Sequence, residues 1–588
     1  MLTEDLSPME LIDGRRAQER AGRLIEDLFR TLDPHDADTL SRLERALRLW
    51  SECRIHPEMR LAVSGDSEPL PECDGVVLTA PRALPDDVKA YPVYSCARNA
   101  APAYDRLPGA DSQTVLFGAD GLIRPDIARA GLEALTAHRT AFVLLSGGAG
   151  TRYADSSAAL REARDRGALT DEQRDTLDIF RTVYGDVDEC LTRSKLFAPM
   201  GCVTGRGPFE INMESIAELL EKTHDDAPVV VFVGDSTRED VERLLAEHGN
   251  FGIRRLAVID QDMAPFVREE DGALLETEDG AACGANGGGG IVYSLGHARP
   301  VDVHGHALYD GTVLDWFDSL SISRVIFSQT DDAKRPEVYL GLCAAGAEDG
   351  VSVAASGSRY PTVMAGGKPF FRLGSLWSDG AGALCCTEFA ELQPGQVDLL
   401  TRENHPDGYA VANTGLYLAD IELVRRVIAS GLLGIHFQRR KKERGADGQL
   451  HDVTKFEYFM PDLLGVASQL GAKCRIALLR DTANLTGPLR NLTVDALPAK
   501  DIYKLALAQL AKLYCDITLA RAAGLTVEDG ALIELGPFAR IVAEPGARVL
   551  KGARLYVGGA AEQPVEAAFK SSARIAGDVR ITSSQVIE

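Results

Sequence analysis

The stretch richest in possible chemistry is Leu144-Leu145-Ser146-Gly147-Gly148-Ala149-Gly150-Thr151-Arg152. Three glycines let the backbone turn sharply and approach a ligand closely. Free backbone N–H groups beside the fixed charge of Arg152 suit a phosphate chain. The loop is neither common phosphate motif. Tyr153 stands where a dinucleotide turn needs a third glycine, and the Gly-Lys-Ser/Thr of a P-loop is missing. A tight strand-to-helix turn with a surface arginine is the plainer reading. Asp331 and Asp332 follow the apolar run Ser323-Arg324-Val325-Ile326-Phe327. Carboxylates at a strand end beside a phosphate site are natural Mg²⁺ ligands, and an exposed acidic turn is the alternative. Gly284-Ala285-Asn286-Gly287-Gly288-Gly289-Gly290 either admits a planar or sugar ligand or is a plain loop. Arg439-Arg440-Lys441-Lys442 is either a solvated turn or a source of charge for a phosphate. His304-Gly305-His306 has no third ligand at metal spacing, and no Ser-His-Asp set can be nominated.

The elements that must position these residues follow from periodicity. Ala141 to Leu145 predicts a buried strand, and a helix from Arg124, with Ala128, Leu132 and Leu135 inward, leads into it. Ile211 to Lys222 predicts a helix, and Val229 to Val233 a fully apolar strand. Asp235-Ser236 caps a helix from Thr237 to His248, and Leu256 to Ile259 is another strand. This rhythm means a mostly parallel sheet covered on both faces, with ligands at the carboxyl ends of its strands. Residues 1 to about 60 read helical, with Ala17, Ala21, Leu24, Ile25 and Leu28 on one face. Within a charged insertion at about 154–192, Thr170 and Gln173 have capping-box spacing. Gly366-Gly367-Lys368 marks a hairpin turn, and Lys455-Phe456-Glu457-Tyr458-Phe459 reads as the start of an apolar helix. From about residue 520, Gly530, Gly536, Gly546, Gly552 and Gly558 recur about every six residues. That spacing suits a short left-handed β-helix, or else a small irregular β cap.

These patterns divide the chain into an N-terminal helical domain (1–123), a catalytic domain (124–505) and a C-terminal β-helix-like domain (506–588). A length of 588 residues agrees with about two to four domains. The formal net charge of −24 argues against nucleic acid or an anionic membrane as partner, so a phosphate site must gather positive charge locally. The acidic start Met1-Leu2-Thr3-Glu4-Asp5 has no apolar core of a signal peptide. No segment approaches the roughly 18 apolar residues of a membrane span. The 11 cysteines are scattered and form no Cys-x-x-Cys, which reads as reduced core cysteines in a cytoplasmic protein.

From about Gly131 to Asn491 the landmarks, in order, resemble the UTP–sugar-1-phosphate uridylyltransferases, and within them the UDP-N-acetylhexosamine pyrophosphorylases. Gly131-Leu132-Glu133 followed by Gly147-Gly148-Ala149-Gly150-Thr151-Arg152 is similar to that family's opening signature, and Lys195 to its signature lysine. Asn250-Phe251-Gly252, Gln261-Asp262-Met263-Ala264-Pro265 and Asn286-Gly287-Gly288 resemble successive family segments. So do Thr387-Glu388-Phe389-Ala390-Glu391-Leu392, Asn413-Thr414-Gly415, Lys455-Phe456-Glu457 and Pro488-Leu489-Arg490-Asn491.

The resemblance implies a Rossmann-like, GT-A-type nucleotidyltransferase fold: a mixed α/β sheet with helices on both faces. It implies that Gly147, Gly148 and Arg152 hold the UTP phosphates and that Lys195 neutralises them. Gln261 would read the uracil edge, and Asn286 and Gly287 would contact the nucleoside. Asp331 would hold Mg²⁺, Glu388 and Asn413 the sugar hydroxyls, and Lys455 the sugar phosphate. The implied reaction makes a UDP-sugar and pyrophosphate from UTP and a sugar 1-phosphate, with N-acetylglucosamine 1-phosphate favoured. Glucose 1-phosphate or a broader sugar set is the second reading, and a nucleotide-sugar-binding regulator without turnover the third. Three departures stand out. About 40 residues separate Arg152 from Lys195, where the family has a short loop. Phe389 and Ala390 replace a tyrosine and a serine, and the glycine run after Asn286 is long. The insertion leaves room for a lid or a homo-oligomer contact.

Overall fold

The computed structural model describes residues 107–588 apart from 109, 119–121, 149–150, 269–274, 278–279, 360–363, 366–367, 370–373, 379–382, 388–409, 431–432, 434, 480–485, 489–499 and 561–562, together with three short strands at 67–69, 79–81 and 93–95. The helical reading of the first 60 or so residues lies outside the described residues.

A mixed sheet organises the chain. Its main path uses β1 (Gln113–Val115), β2 (Thr140–Ser146), β3 (Val229–Val233), β4 (Leu256–Asp260), β5 (Arg324–Gln329), β6 (Val351–Arg359), β7 (Val411–Asp420) and β8 (Lys473–Leu479). Their spatial order is β1-β8-β6-β7-β5-β2-β3-β4. β5, β2, β3 and β4 run parallel to their neighbours, as do β6, β8 and β1, and β7 alone runs antiparallel between the two sets. The hairpin Ser375–Ser378 and Leu384–Thr387 extends the sheet beside β7. Every residue of β3 is buried, which requires cover on both faces. One strand of this sheet, β1, comes from before residue 124.

Helices supply that cover. α1 (Pro125–His138) precedes β2, with Ile127, Gly131, Ala134 and Leu135 buried. α2 (Thr151–Asp165), α3 (Asp171–Val183) and α4 (Val187–Thr192) fill the insertion, and α5 (Pro208–Thr223) leads to β3. α6 (Arg238–Glu247) joins β3 to β4 and α7 (Pro336–Gly346) follows β5. α1 lies so close to α7 that a Cβ on Gly131 would overlap the Leu340 carbonyl. The α6 start differs from the sequence reading. Thr237, not Asp235-Ser236, is the residue before the helix, and its hydroxyl accepts from Gly234 N at 3.0 Å.

In the insertion, Thr170 Oγ1 accepts from Gln173 N at 3.3 Å and Gln173 Oε1 accepts from Thr170 N at 2.9 Å. This is the expected capping box. α2 to α4 do not stand alone. Tyr153, Leu160, Leu177 and Phe180 share a small core with Leu505, Ala506 and Ala508 of α8 (Lys500–Ala522), and with Ala198, Met200 and Ala333.

Lys455 to Tyr458 is strand rather than the start of a helix. Leu450–Tyr458 pairs with Ile435–Arg444, and the next helix begins at Asp462. Val93–Ser95 and Val267–Arg268 complete that four-stranded sheet. The pairing partner lies on the preceding strand, so an apolar count within the segment could not see it. Met364–Ala365 pairs antiparallel with Lys368–Pro369, and the expected turn between them lies outside the described residues.

After α8 the chain forms three parallel three-stranded sheets. Each takes one strand from each of three successive passes, as in Leu532–Leu535, Arg554–Val557 and Asp578–Ile581. Their interior is apolar, with Ile533, Leu555, Val565, Phe569 and Ile581 buried. Among the described residues no helix is long and apolar enough to cross a membrane.

Candidate active site

The carboxyl ends of β2, β4 and β5 carry the residues singled out by their types. At the end of β2, a Cβ on Gly147 would overlap Gln261 Oε1, so only glycine lets the two approach. Gln261 is buried just past β4, and its Nε2 donates to Gly287 O at 2.8 Å. Gly287 has φ +85°, and a Cβ there would strike Tyr458 O. Two constraints therefore demand glycine at this turn. A Cβ on Gly148 would meet nothing within 4 Å, so that glycine borders open space.

Asn286 is fully buried in the same wall. Its backbone is satisfied: N donates to Asp262 O at 2.9 Å, and O accepts from Tyr458 N at 2.7 Å. Its side-chain Nδ2 and Oδ1 have no hydrogen-bond partner. A buried amide unsatisfied at both ends costs roughly 1–3 kcal/mol per group, which a ligand offering a donor and an acceptor would recover. Gly290 leaves room for that amide, since a Cβ there would overlap it.

The charged side adjoins this wall. Thr330, one residue past β5, donates to Leu145 O at 2.8 Å and lies 3.1 Å from Ser146 Oγ. Asp331 follows, and Lys195 Nζ meets its Oδ2 at 2.6 Å. Both side chains are about a fifth exposed, 22% and 21%, so the pair opens to solvent without being fully hydrated. Buried Lys334 donates to Gln329 O at 2.6 Å and fastens the same turn. A Cβ on Gly288 would lie 3.0 Å from Leu145 Cδ2 and 3.8 Å from Gln329 Nε2, so the glycine loop reaches the ends of β2 and β5.

Lys455 pairs with Glu457, and its Cε lies 3.1 Å from where a Gly284 Cβ would stand. It is therefore set against the strand that leads into Asn286. Asn413 is buried on β7, where its Oδ1 accepts from Gly415 N at 3.0 Å and from Tyr417 Oη at 2.8 Å. These bonds give Asn413 a role inside the sheet. Arg152 is the second residue of α2, whose N-terminus follows the glycine turn, but its side chain lies outside the described residues, as does Glu388.

Among the described residues, no three of His, Cys, Asp and Glu gather into a metal cluster. Mg²⁺ arriving on phosphates requires only one or two protein carboxylates, so Asp331 fits such an ion.

Sequence reasoning missed several supports. Ser294 Oγ donates to Asp262 Oδ2 at 2.7 Å, and His297 Nε2 is 2.9 Å from the same oxygen. Asp262 thus fixes the turn behind Gln261. The Ser146–Thr330 link had no signal in spacing, because β2 and β5 are adjacent in space and distant in sequence.

No sequence model of a protein family matches the chain, and no curated protein matches it. Solved structures do. The UDP-N-acetylglucosamine pyrophosphorylase of Trypanosoma brucei, in complex with an inhibitor, aligns with TM-score 0.52 and 16% identity over 71% of this chain and 74% of that one. A protein of Entamoeba histolytica described as a UDP-N-acetylglucosamine pyrophosphorylase aligns with TM-score 0.48 and 15% identity, over 69% of this chain and 88% of that one. A mutant UDP-glucose pyrophosphorylase of Leishmania major gives TM-score 0.40 and 12% identity, over 83% and 90%. At this identity the likeness to the Trypanosoma protein establishes one thing, that the two chains share a mixed α/β fold over most of their lengths.

Proposed function

We propose that the chain is a Mg²⁺-dependent uridylyltransferase that joins UTP and a sugar 1-phosphate into a UDP-sugar and pyrophosphate, with N-acetylglucosamine 1-phosphate the favoured acceptor. The observation that carries this reading is the meeting of a neutral wall, Gly147, Gln261, Asn286 and Gly287, with the Lys195–Asp331 pair at the carboxyl ends of parallel strands. The shared fold with a UDP-N-acetylglucosamine pyrophosphorylase supports it.

In this reading Gln261 and Asn286 hold the base and nucleoside through amide hydrogen bonds. Gly147 and Gly148 let the triphosphate lie against the backbone, and Arg152 at the start of α2 adds charge. Lys195 exchanges its contact with Asp331 for a phosphate oxygen. Asp331 would hold Mg²⁺, which would supply further neutralisation of charge on the phosphates. Lys455 fixes the sugar 1-phosphate and Glu388 binds sugar hydroxyls, to which Asn413 offers only its amide Nδ2, since its Oδ1 is engaged by Gly415 and Tyr417. The attacking phosphate oxygen is already ionised at neutral pH, so the chain need supply no base. It supplies alignment for in-line attack and charge for the departing pyrophosphate. We read the three tail sheets as the faces of a short β-helix whose coils are the three successive passes, on the strength of their parallel register. The cysteines among the described residues are free and nearly all buried, which supports a reducing, cytoplasmic setting.

The test is pyrophosphate release from UTP and Mg²⁺ with a panel of sugar 1-phosphates. Release with N-acetylglucosamine 1-phosphate above the others supports the proposal in full. Release with glucose 1-phosphate alone moves the acceptor, and release with none removes the transferase.

A further inference from the structure

The Lys195–Asp331 pair is the meeting point of two arms, and each arm is fastened at its far end by a buried carboxylate from the C-terminal region. The first arm runs from Lys195 to Arg206. Gln509 of α8 donates to Pro199 O at 2.7 Å. Met200 N and Gly201 N then donate to Arg206 O at 3.0 and 3.1 Å, closing a turn. The fully buried carboxylate of Glu534, on the tail strand Leu532–Leu535, sits in that turn. It accepts from Val203 N at 2.6 Å, from Thr204 N at 2.8 Å, and from Arg206 Nη2 and Nε at 2.8 and 3.0 Å. A Cβ on Gly201 would overlap this carboxylate, so the turn is shaped to receive it. Arg206 also contacts Glu214 of α5.

The second arm runs from Asp331 to Arg335. Arg335 Nη1 meets Asp516 Oδ1 of α8 at 2.5 Å, with Glu337 3.8 Å away. The other Asp516 oxygen contacts Lys512 and accepts from Leu535 N at 3.1 Å. Asp516 is itself almost completely buried. Glu534 and Leu535 are consecutive, so one tail strand ties both arms together. Ala198 and Met200 on the first arm and Ala333 on the second also pack in one apolar core with α8.

We propose that Glu534 and Asp516 are positioning residues that set the separation of Lys195 and Asp331, making the C-terminal region an obligate part of the active site. The proposal rests on the transferase reading above. A displacement of about 1 Å in a charge-stabilising group can cost about 100-fold in rate, so a rigid bracket has a direct catalytic use.

The experiment uses the full chain with Glu534→Gln, Asp516→Asn, the conservative Glu534→Asp, and Glu566→Gln, which removes an exposed tail carboxylate paired with Arg540. Hydrogen exchange of segments 195–206 and 329–335 is read without substrate, and kcat and KM are read for both substrates. For Glu534→Gln we expect exchange in 195–206 to quicken about 10-fold and kcat to fall about 10-fold or more, on that same scale of displacement. KM for the sugar 1-phosphate should stay within about twofold, because Lys455 stands on a wall that the bracket does not touch. Asp516→Asn should act likewise on 329–335. Glu534→Asp should recover most of kcat, and Glu566→Gln should match the parent. Folded Glu534→Gln and Asp516→Asn proteins with parental exchange in both segments and parental kcat would overturn the proposal. So would a uniform rise in exchange across the chain with KM for both substrates raised together. Should Glu534→Gln fail to fold, Arg206→Lys, which keeps charge but loses the forked bond, carries the same test. Absence of turnover in the parent protein would remove the transferase reading, while the exchange comparison would still decide the bracket.

Discussion

The two sides of the site are held by different physics. Gly147, Gln261, Asn286 and Gly287 are positioned by neutral hydrogen bonds and close backbone contact. Lys195 and Asp331 are positioned by charge, and their supports at Arg206–Glu534 and Arg335–Asp516 are buried ion pairs. The ionic side responds to pH. Burial alone would push the Glu534 carboxyl up, yet Arg206 and Lys512 hold it down at about 2. Its contribution to stability is therefore complete above the ordinary carboxylate range and is lost as pH falls from about 4.5 toward 2. Glu214 behaves oppositely: burial outruns the pull of Arg206, Glu210 and Glu534 add repulsion, and its carboxyl rises to about 7.

Four outcomes would sharpen or break this contrast. The largest is expected for Lys195→Ala, which should lower kcat about 1000-fold in pyrophosphate release, the scale seen when a charge-stabilising group is removed. Gly147→Ala should weaken UTP binding by roughly 10- to 100-fold in calorimetry, since its Cβ displaces the Gln261 amide. An unchanged affinity would remove Gly147 from the neutral wall. Glu534→Gln should cost about 3 kcal/mol in denaturant unfolding at pH 7, the usual scale for breaking a buried pair. That cost should shrink as pH falls from about 4.5 toward 2, and a pH-independent difference would mean that charge is not what matters there. The smallest effect is expected for Glu214→Gln. Its stability relative to the parent should shift in the variant's favour between pH 5 and pH 8, because only the parent must ionise a reluctant carboxyl over that range. A shift in the other direction would show that the Arg206 contact outweighs burial.

The same contrast governs what could be read from sequence. The strands Thr140–Ser146 and Val229–Val233 were legible because their constraint is local, a run that needs burial. The capping box at Thr170 was legible for the same reason. Lys455 was placed on a helix because its strand is defined by a partner that periodicity within the segment does not reveal. The Lys195–Asp331 contact joins residues 136 positions apart, and Arg206–Glu534 joins residues 328 apart. Neither leaves a pattern in spacing, and only the resemblance to a known family set Lys195 and Asp331 side by side in function. Asn413 shows the converse, a motif residue whose side-chain oxygen is already engaged within the sheet.

The central claim is that the neutral wall and the ionic pair serve one ligand. Hydrogen exchange of the full chain, titrated with UTP in the presence of Mg²⁺, tests it most directly. Segments 145–148 and 286–290 on one side, and 195–201 and 329–335 on the other, should become protected together, with a common midpoint in UTP. Protection confined to one side, or two separate midpoints, would contradict it.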